Sequence, residues 1–230
     1  MTNGINSVVD EAVTRLRRLD SCAISDALDQ LGLKGQVTGI PKRSGSATRI
    51  AGRVTTLKLH AGARPAGPVR HLGTTAIESS NDENVIVVEQ RTGQDAGCWG
   101  GLLTLGAKLR KVAGVVADGP VRDIDEAIEY DFPIFSTALT SITARSRVVE
   151  AATNEPIHPW GIEVRAGDYV IADSSSIIFI TTEHIDTVLQ AAEEIAFKEA
   201  LMAKELLSGK TISTVMGANY EDMLGNKSEK

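Results

Sequence analysis

The sequence predicts an α/β fold built on a mixed sheet, and three features predict it. Two short continuous apolar runs, residues 84–90 (NVIVVEQ) and 112–118 (VAGVVAD), have the length and unbroken hydrophobicity of strands buried on both faces. A helical pattern over residues 102–111, with a basic end, separates them. A strand-rich segment over about 147–181 then replaces the alternation, which makes the sheet mixed or layered.

The elements follow in order. Ser7 with Asp10 resembles a capping box, Asp standing in for the usual Glu or Gln, and Val9, Val13, Leu16 and Leu19 repeat at helical spacing. Ser21 reads as a second cap, opening a helix through Ala23, Ala27, Leu28 and Leu31 that Gly32 can end. The N-terminal helices thus occupy about 7–32. Residues 35–45, with Pro41 and two basic residues, read as loop. Ile50, Val54, Thr56, Leu57 and Leu59 mark a strand over 49–60, and a Gly/Pro-rich stretch over 61–69 reads as exposed loop. Beyond residue 118 come a short acidic helix over 121–130 and a short strand over 132–136. Gly167-Asp168 sits between apolar runs as a tight turn would. A last long helix over about 183–207 puts Ile185, Val188, Leu189, Ala192, Ile195 and Leu206 on an inward stripe; Gly209 ends it, and the tail NKSEK is expected to be mobile. No linker, repeat or low-complexity tract interrupts residues 1–230, so one domain is expected, with its α/β core over about 49–181.

A chain of 230 residues can bury a sizeable core without disulfides. The net charge of −6 argues against a nucleic-acid binder held by a broad basic surface. Cys22 and Cys98 have no CxxC spacing, so neither a disulfide framework nor a zinc ribbon is implied. The first residues lack a cationic flank and an apolar run, and no stretch approaches the length of a membrane span. A cytoplasmic protein without a membrane partner is the expectation.

The sequence lacks a GxxxxGK[ST] loop, a GxGxxG turn after a strand, an HExxH helix and a GxSxG elbow. The four histidines are scattered, and Cys98 has no supporting histidine nearby in sequence. Two places stand out. In Gly97-Cys-Trp-Gly-Gly-Leu-Leu103, paired glycines after a buried strand let backbone approach a ligand, and the first amides of a helix are unpaired donors. In Asp118-Gly-Pro-Val-Arg-Asp123 a buried strand runs into a helix start, where Arg122 offers a planar fork to a carboxylate or phosphate. Asp123 beside it serves an anion only through a divalent cation. Taken alone, an Arg-Asp pair in a first turn is more often a solvated cap, and Gly-Gly before a helix more often a tight turn. Together, each after a buried strand, they suggest a metal-bridged carboxylate site.

The stretch from Trp99-Gly-Gly-Leu-Leu to Val115-Val-Ala-Asp-Gly-Pro-Val-Arg-Asp-Ile-Asp-Glu126 resembles the class II pyruvate aldolases, which include 4-hydroxy-4-methyl-2-oxoglutarate aldolase and are related to the regulator of ribonuclease activity A. Ser25-Asp-Ala-Leu28 with Gly32, Ile50-Ala-Gly-Arg-Val-Thr55 and Gly167-Asp-Tyr-Val-Ile-Ala-Asp173 extend the resemblance over roughly residues 20–210. It implies a layered α/β/α domain with a swivelling-domain-like mixed sheet, assembled as homotrimers or homohexamers with sites between subunits. It also implies that Arg122 holds the carboxylate of a pyruvate unit and that Asp123 ligates Mg²⁺ or Mn²⁺. The Gly100-Gly101 turn and the amides of Leu102 and Leu103 would receive substrate oxygens, and Glu199 would reach a neighbouring subunit's metal site, with Glu193 and Glu194 on the same helix. The implied activity is a metal-dependent carbon–carbon lyase acting on a 2-oxo or hydroxy carboxylic acid through a metal-stabilised enolate. Retro-aldol release of pyruvate and oxaloacetate decarboxylation share that enolate.

One position departs from the family. The active aldolases carry an acid, twenty residues and then Arg-Asp; that acid falls on Gly101 here. The missing carboxylate would help deprotonate the substrate hydroxyl, a step that decarboxylation does not need. Asp95 and Glu89 are nearby acids in sequence. Two alternatives to the lyase therefore stand: a non-catalytic regulator that binds a protein partner, and another small-molecule enzyme on this fold, with Trp99 lining its pocket.

Overall fold

The computed structural model describes residues 9–62 and 70–217. Asp10, and not Ser7, caps the first helix, α1 (Glu11–Leu16): its carboxylate accepts the amides of Ala12 and Val13. Ser7 lies outside the described residues, as do most of the Gly/Pro-rich stretch and the NKSEK tail. The second helix, α2 (Ser21–Leu31), is capped by Asp20, whose carboxylate accepts the Ala23 amide. Ser21 is its first helical residue and donates its hydroxyl and amide to Asp173. Gly32 ends α2 in the left-handed region at φ 66°, as a glycine in that position can without steric cost.

Two three-residue strands, β1 (Gln36–Thr38) and β2 (Lys42–Ser44), occupy the expected loop. They are too short to show a period and exist through tertiary pairing. After β3 (Ile50–Ala61) comes an unforeseen helix, α3 (Thr74–Glu78). Then follow β4 (Asn84–Glu89), α4 (Gly101–Leu109), β5 (Gly114–Val121) and α5 (Ile124–Glu129). β5 runs three residues past the expected strand end, and α5 starts correspondingly late. β6 (Ile134–Leu139), β7 (Val148–Thr153), a single 3₁₀ turn at Pro159–Gly161, β8 (Tyr169–Ala172) and β9 (Ser176–Ile180) complete the strand-rich part. Gly167 makes the turn before β8 at φ 90°. The chain ends in α6 (Ile185–Leu207) and the short α7 (Ile212–Val215). The expected α6 stripe is buried from Ile185 to Ile195, but Leu206 is exposed, because the helix has by then outrun the sheet.

The strands form one mixed sheet in the order β1-β9-β8-β3-β4-β5-β6-β2, with β7 also on β3. β3, β4, β5 and β6 are parallel; β1, β2, β7, β8 and β9 pair antiparallel. Alternation sorts the side chains. In β4, Ile86 and Val88 join the cluster that includes Ala76, Leu103 and Ala127 from α3–α5, whereas Val85 and Val87 join one completed by Ile157 and Val164. A further cluster ties α1, α2 and α6 to β8 and β9. Each fully buried branched side chain contributes about 1.5–3 kcal/mol to the stability of these layers.

Candidate functional site

The two singled-out segments meet at the carboxyl ends of β4 and β5. The parallel pairing of these strands runs to Glu89 opposite Asp118. Beyond it the chain after β4 returns alongside β5: the Cys98 amide donates to Pro120 O at 2.8 Å, Trp99 bridges Val121, and the Arg122 amide donates to Trp99 O at 3.0 Å. This improvised ladder clamps residues 97–101 against Arg122 and Asp123. Asp118 is not at the site. It lies inside β5, where its carboxylate accepts the Trp160 amide at 2.7 Å and stands 3.9 Å from Arg91.

Asp123 has a left-handed backbone, φ 56° and ψ 40°, which Asp tolerates better than most residues. It precedes α5 yet makes no side-chain cap there. Instead one carboxylate oxygen accepts the Gly101 amide of α4 at 3.0 Å and the other accepts Arg122 Nε at 3.2 Å. A carboxylate at the start of α4 is favoured by the helix dipole. The terminal guanidinium nitrogens of Arg122 have no protein acceptor among the described residues and remain available to an anion.

The glycines also make room for side chains of the neighbouring segment. A Cβ on Gly97 would stand 2.9 Å from Arg122 Cγ, and one on Gly100 would stand 2.9 Å from the Asp123 carboxylate. A Cβ on Gly101 would lie 1.9 Å from Glu126 Oε2. The missing side chains make room for Arg122, Asp123 and Glu126 to lie against the start of α4.

Above this floor is a cavity of ≈ 300 Å³. Gly97, Trp99, Gly100, Gly101, Leu102 and Leu103 line it with Arg122 and Asp123, and His71, Leu72, Thr143, Ala144 and Arg145 complete the lining. Leu102 is exposed and Leu103 buried. Trp99 is buried and donates its indole N–H to Thr104, so it packs beneath the helix start as well as touching the cavity. His71 and Arg145 carry no motif in the sequence; only the fold brings them here. His71 Nδ1 is 2.9 Å from Leu72 O, a contact that needs its proton on Nδ1. Cys98 is wholly buried and its thiol is pushed up to about 12 by that burial, which removes it as a nucleophile.

Glu199 lies elsewhere on the same chain. Burial raises its carboxyl pKa, with Asp20 and Asp26 adding repulsion, so it faces the α2 side and does not line the cavity. Among the described residues no three His, Cys, Asp or Glu side chains are grouped to hold a metal. Asp123 still suits Mg²⁺ or Mn²⁺: these ions prefer hard oxygen donors, and Mg²⁺ is commonly held by one or two carboxylates with water and substrate completing its shell.

The chain is similar to known proteins over most of its length. It is 27% identical to protein DlpA of Legionella pneumophila over 86% of the chain, but spans only 32% of that relative. A Halalkalibacterium halodurans protein named "Putative 4-hydroxy-4-methyl-2-oxoglutarate aldolase" is 29% identical over 79% of the chain and 82% of its own length. An uncharacterized protein of Pseudomonas syringae superposes with TM-score 0.77 at 26% identity, covering 90% of this chain and 96% of that one. Its mixed α/β architecture matches the fold described above. The family model described as "RraA-like: Aldolase/RraA" matches residues 21–179, a span holding every cavity-lining residue, and the chain belongs to that family.

Proposed function

We propose that this protein is a divalent-metal-dependent lyase acting on a 2-oxo or hydroxy carboxylic acid, releasing pyruvate by retro-aldol cleavage or decarboxylating oxaloacetate. The observation that carries the reading is the Asp123 carboxylate: it leaves its own helix uncapped, lies over the start of α4 beside Arg122, and lines a cavity with it. A solvated cap would do none of these.

In this reading the Arg122 guanidinium takes the substrate's 1-carboxylate as a fork. The amides of Leu102 and Leu103, in the first turn of α4, lack helical acceptors and point toward developing negative charge on substrate oxygen. Asp123 holds Mg²⁺ or Mn²⁺, which when bound supplies Lewis-acid withdrawal of electrons from the 2-oxo group. The buried Trp99, Leu103 and Leu72 restrict water on the inner wall. Arg145, which lines the same cavity, suits the second carboxylate of a dicarboxylic substrate. Leu102 and Leu109 are exposed on α4, which favours docking of another protein as the second reading.

The test is pyruvate release from oxaloacetate and from 4-hydroxy-4-methyl-2-oxoglutarate, with Mg²⁺ and with chelator. Metal-dependent release from either supports the lyase. Arg122→Ala should lower kcat/KM about 100-fold, as expected when a charge-assisted bond of about 1.5–3 kcal/mol is lost, with little change in melting temperature. Silence of the wild type with both substrates overturns the lyase and leaves the protein-docking reading.

A further inference from the structure

We propose that Glu126 is the proton-transferring carboxylate of this site, acting from α5 across the space vacated by the glycine at 101; the inference rests on the lyase reading above. Glu126 Oε2 would be 1.9 Å from a Cβ on Gly101, and its carboxyl carbon 2.6 Å. The carboxylate therefore occupies the volume that a side chain at 101 would take. It comes one helical turn after Asp123, so both acids share the face of α5 turned to α4. The Glu126 side chain is exposed and makes no hydrogen bond or ion pair with another described residue, so its carboxylate is not committed to a structural partner. Of the acids nearer in sequence to Gly101, Glu89 is taken up by the His158 amide, whereas Glu126 lies directly against Gly101, which lines the cavity.

The step balances with Glu126 alone. Its carboxylate takes the proton of the 4-hydroxyl of a 4-hydroxy-2-oxo acid. The oxygen's freed electron pair becomes the C4 carbonyl, and the C3–C4 bond breaks. Its electron pair goes to C3 and gives the enolate of pyruvate. The Glu126 carboxyl then returns the proton to C3, which yields pyruvate and restores the carboxylate. Decarboxylation of oxaloacetate has no hydroxyl proton to remove and does not use this step.

The experiment compares wild type and Glu126→Gln on 4-hydroxy-4-methyl-2-oxoglutarate and on oxaloacetate, and titrates oxalate calorimetrically with Mg²⁺ present. The expected result is a fall of about 100-fold in the ratio of retro-aldol to decarboxylase activity, the size of a lost general base, carried by kcat and not by KM. Oxalate affinity and melting temperature should stay within about twofold and about two degrees of wild type, as for an exposed isosteric change. A relocation variant, Gly101→Glu with Glu126→Ala, should recover at least about tenfold over Glu126→Ala, since general-base catalysis follows the position of the carboxylate. An unchanged activity ratio overturns the proposal, as does loss of oxalate binding, which would make Glu126 a binding or structural residue. Loss of the retro-aldol in His71→Ala but not in Glu126→Gln overturns it in favour of His71. A wild type silent on both substrates overturns the lyase reading, and this inference with it.

Discussion

The Asp123 carboxylate belongs to the start of one helix and caps another: it precedes α5 in a left-handed backbone and accepts the Gly101 amide of α4 at 3.0 Å. The bond couples the charge at the cavity floor to the geometry of both helices. Asp123→Asn keeps an acceptor for Gly101 and a residue at ease in the left-handed region, so stability should change by less than about 0.5 kcal/mol. The Mg²⁺ response of pyruvate release should nevertheless vanish. Asp123→Ala should lose both, at a cost of about 1 kcal/mol in denaturant unfolding. A retained Mg²⁺ response in Asp123→Asn would remove Asp123 as the ligand.

Arg145 and Arg122 line the same cavity. Replacing it with Gln should raise KM about fivefold for a 4-hydroxy-2-oxo acid bearing a second carboxylate, consistent with about 1 kcal/mol from an exposed charge pair. KM for the analogue without that carboxylate should stay the same. Equal effects on both substrates would assign Arg145 to loop structure instead.

Asp173 ties α2 to the end of β8. It accepts the Ser21 hydroxyl at 2.6 Å, the Ser21 amide at 2.8 Å and the Ser175 amide at 2.8 Å. Burial pushes its carboxyl up, but these bonds together outweigh burial and hold the pKa below the ordinary 3.8. A depressed folded pKa means the stabilisation is complete above 3.8 and is lost as pH falls through the lower folded value. Circular dichroism between about pH 5 and pH 2 should show acid unfolding steepening there. Asp173→Asn should flatten that part of the profile and cost about 1–2 kcal/mol at neutral pH. An unaltered acid profile would show that other carboxylates carry it.

α6 leaves Phe197 and Leu201 exposed on either side of Glu199 in sequence. Light scattering should give a trimer or hexamer, and Glu199→Gln should reduce pyruvate release without dissolving the assembly. A monomer at micromolar concentration would remove any role for Glu199 at a shared site.

Most of the scaffold was legible because its signals are local. The apolar runs of β4 and β5 and the stripe of α6 are periodicities within a few turns or residues of chain. The caps are less legible: Asp10 and Asp20 hold the helix starts, where the local pattern points to Ser7 and Ser21. Both are small oxygen-bearing residues at a similar offset, and only the backbone dihedral decides between them. Ile134 and Phe135 are visible as apolar in the sequence, but β2, their neighbour across the sheet edge, is not; a three-residue strand is defined by its partner.

The sequence alone determined that Arg122 and Asp123 end a buried strand, that a glycine stands at 101, and that an amide-rich helix start lies upstream. Each is a property of neighbouring residues. Only the tertiary structure decided that the two segments touch, that Asp123 turns from its own helix to another, that Glu126 lies where a side chain at 101 would be, and that His71 and Arg145 close the cavity. The physical reason is that these contacts follow from the parallel register of β4 on β5 and from the path of loops across the sheet edge. Long-range pairing sets both, and no local pattern encodes them.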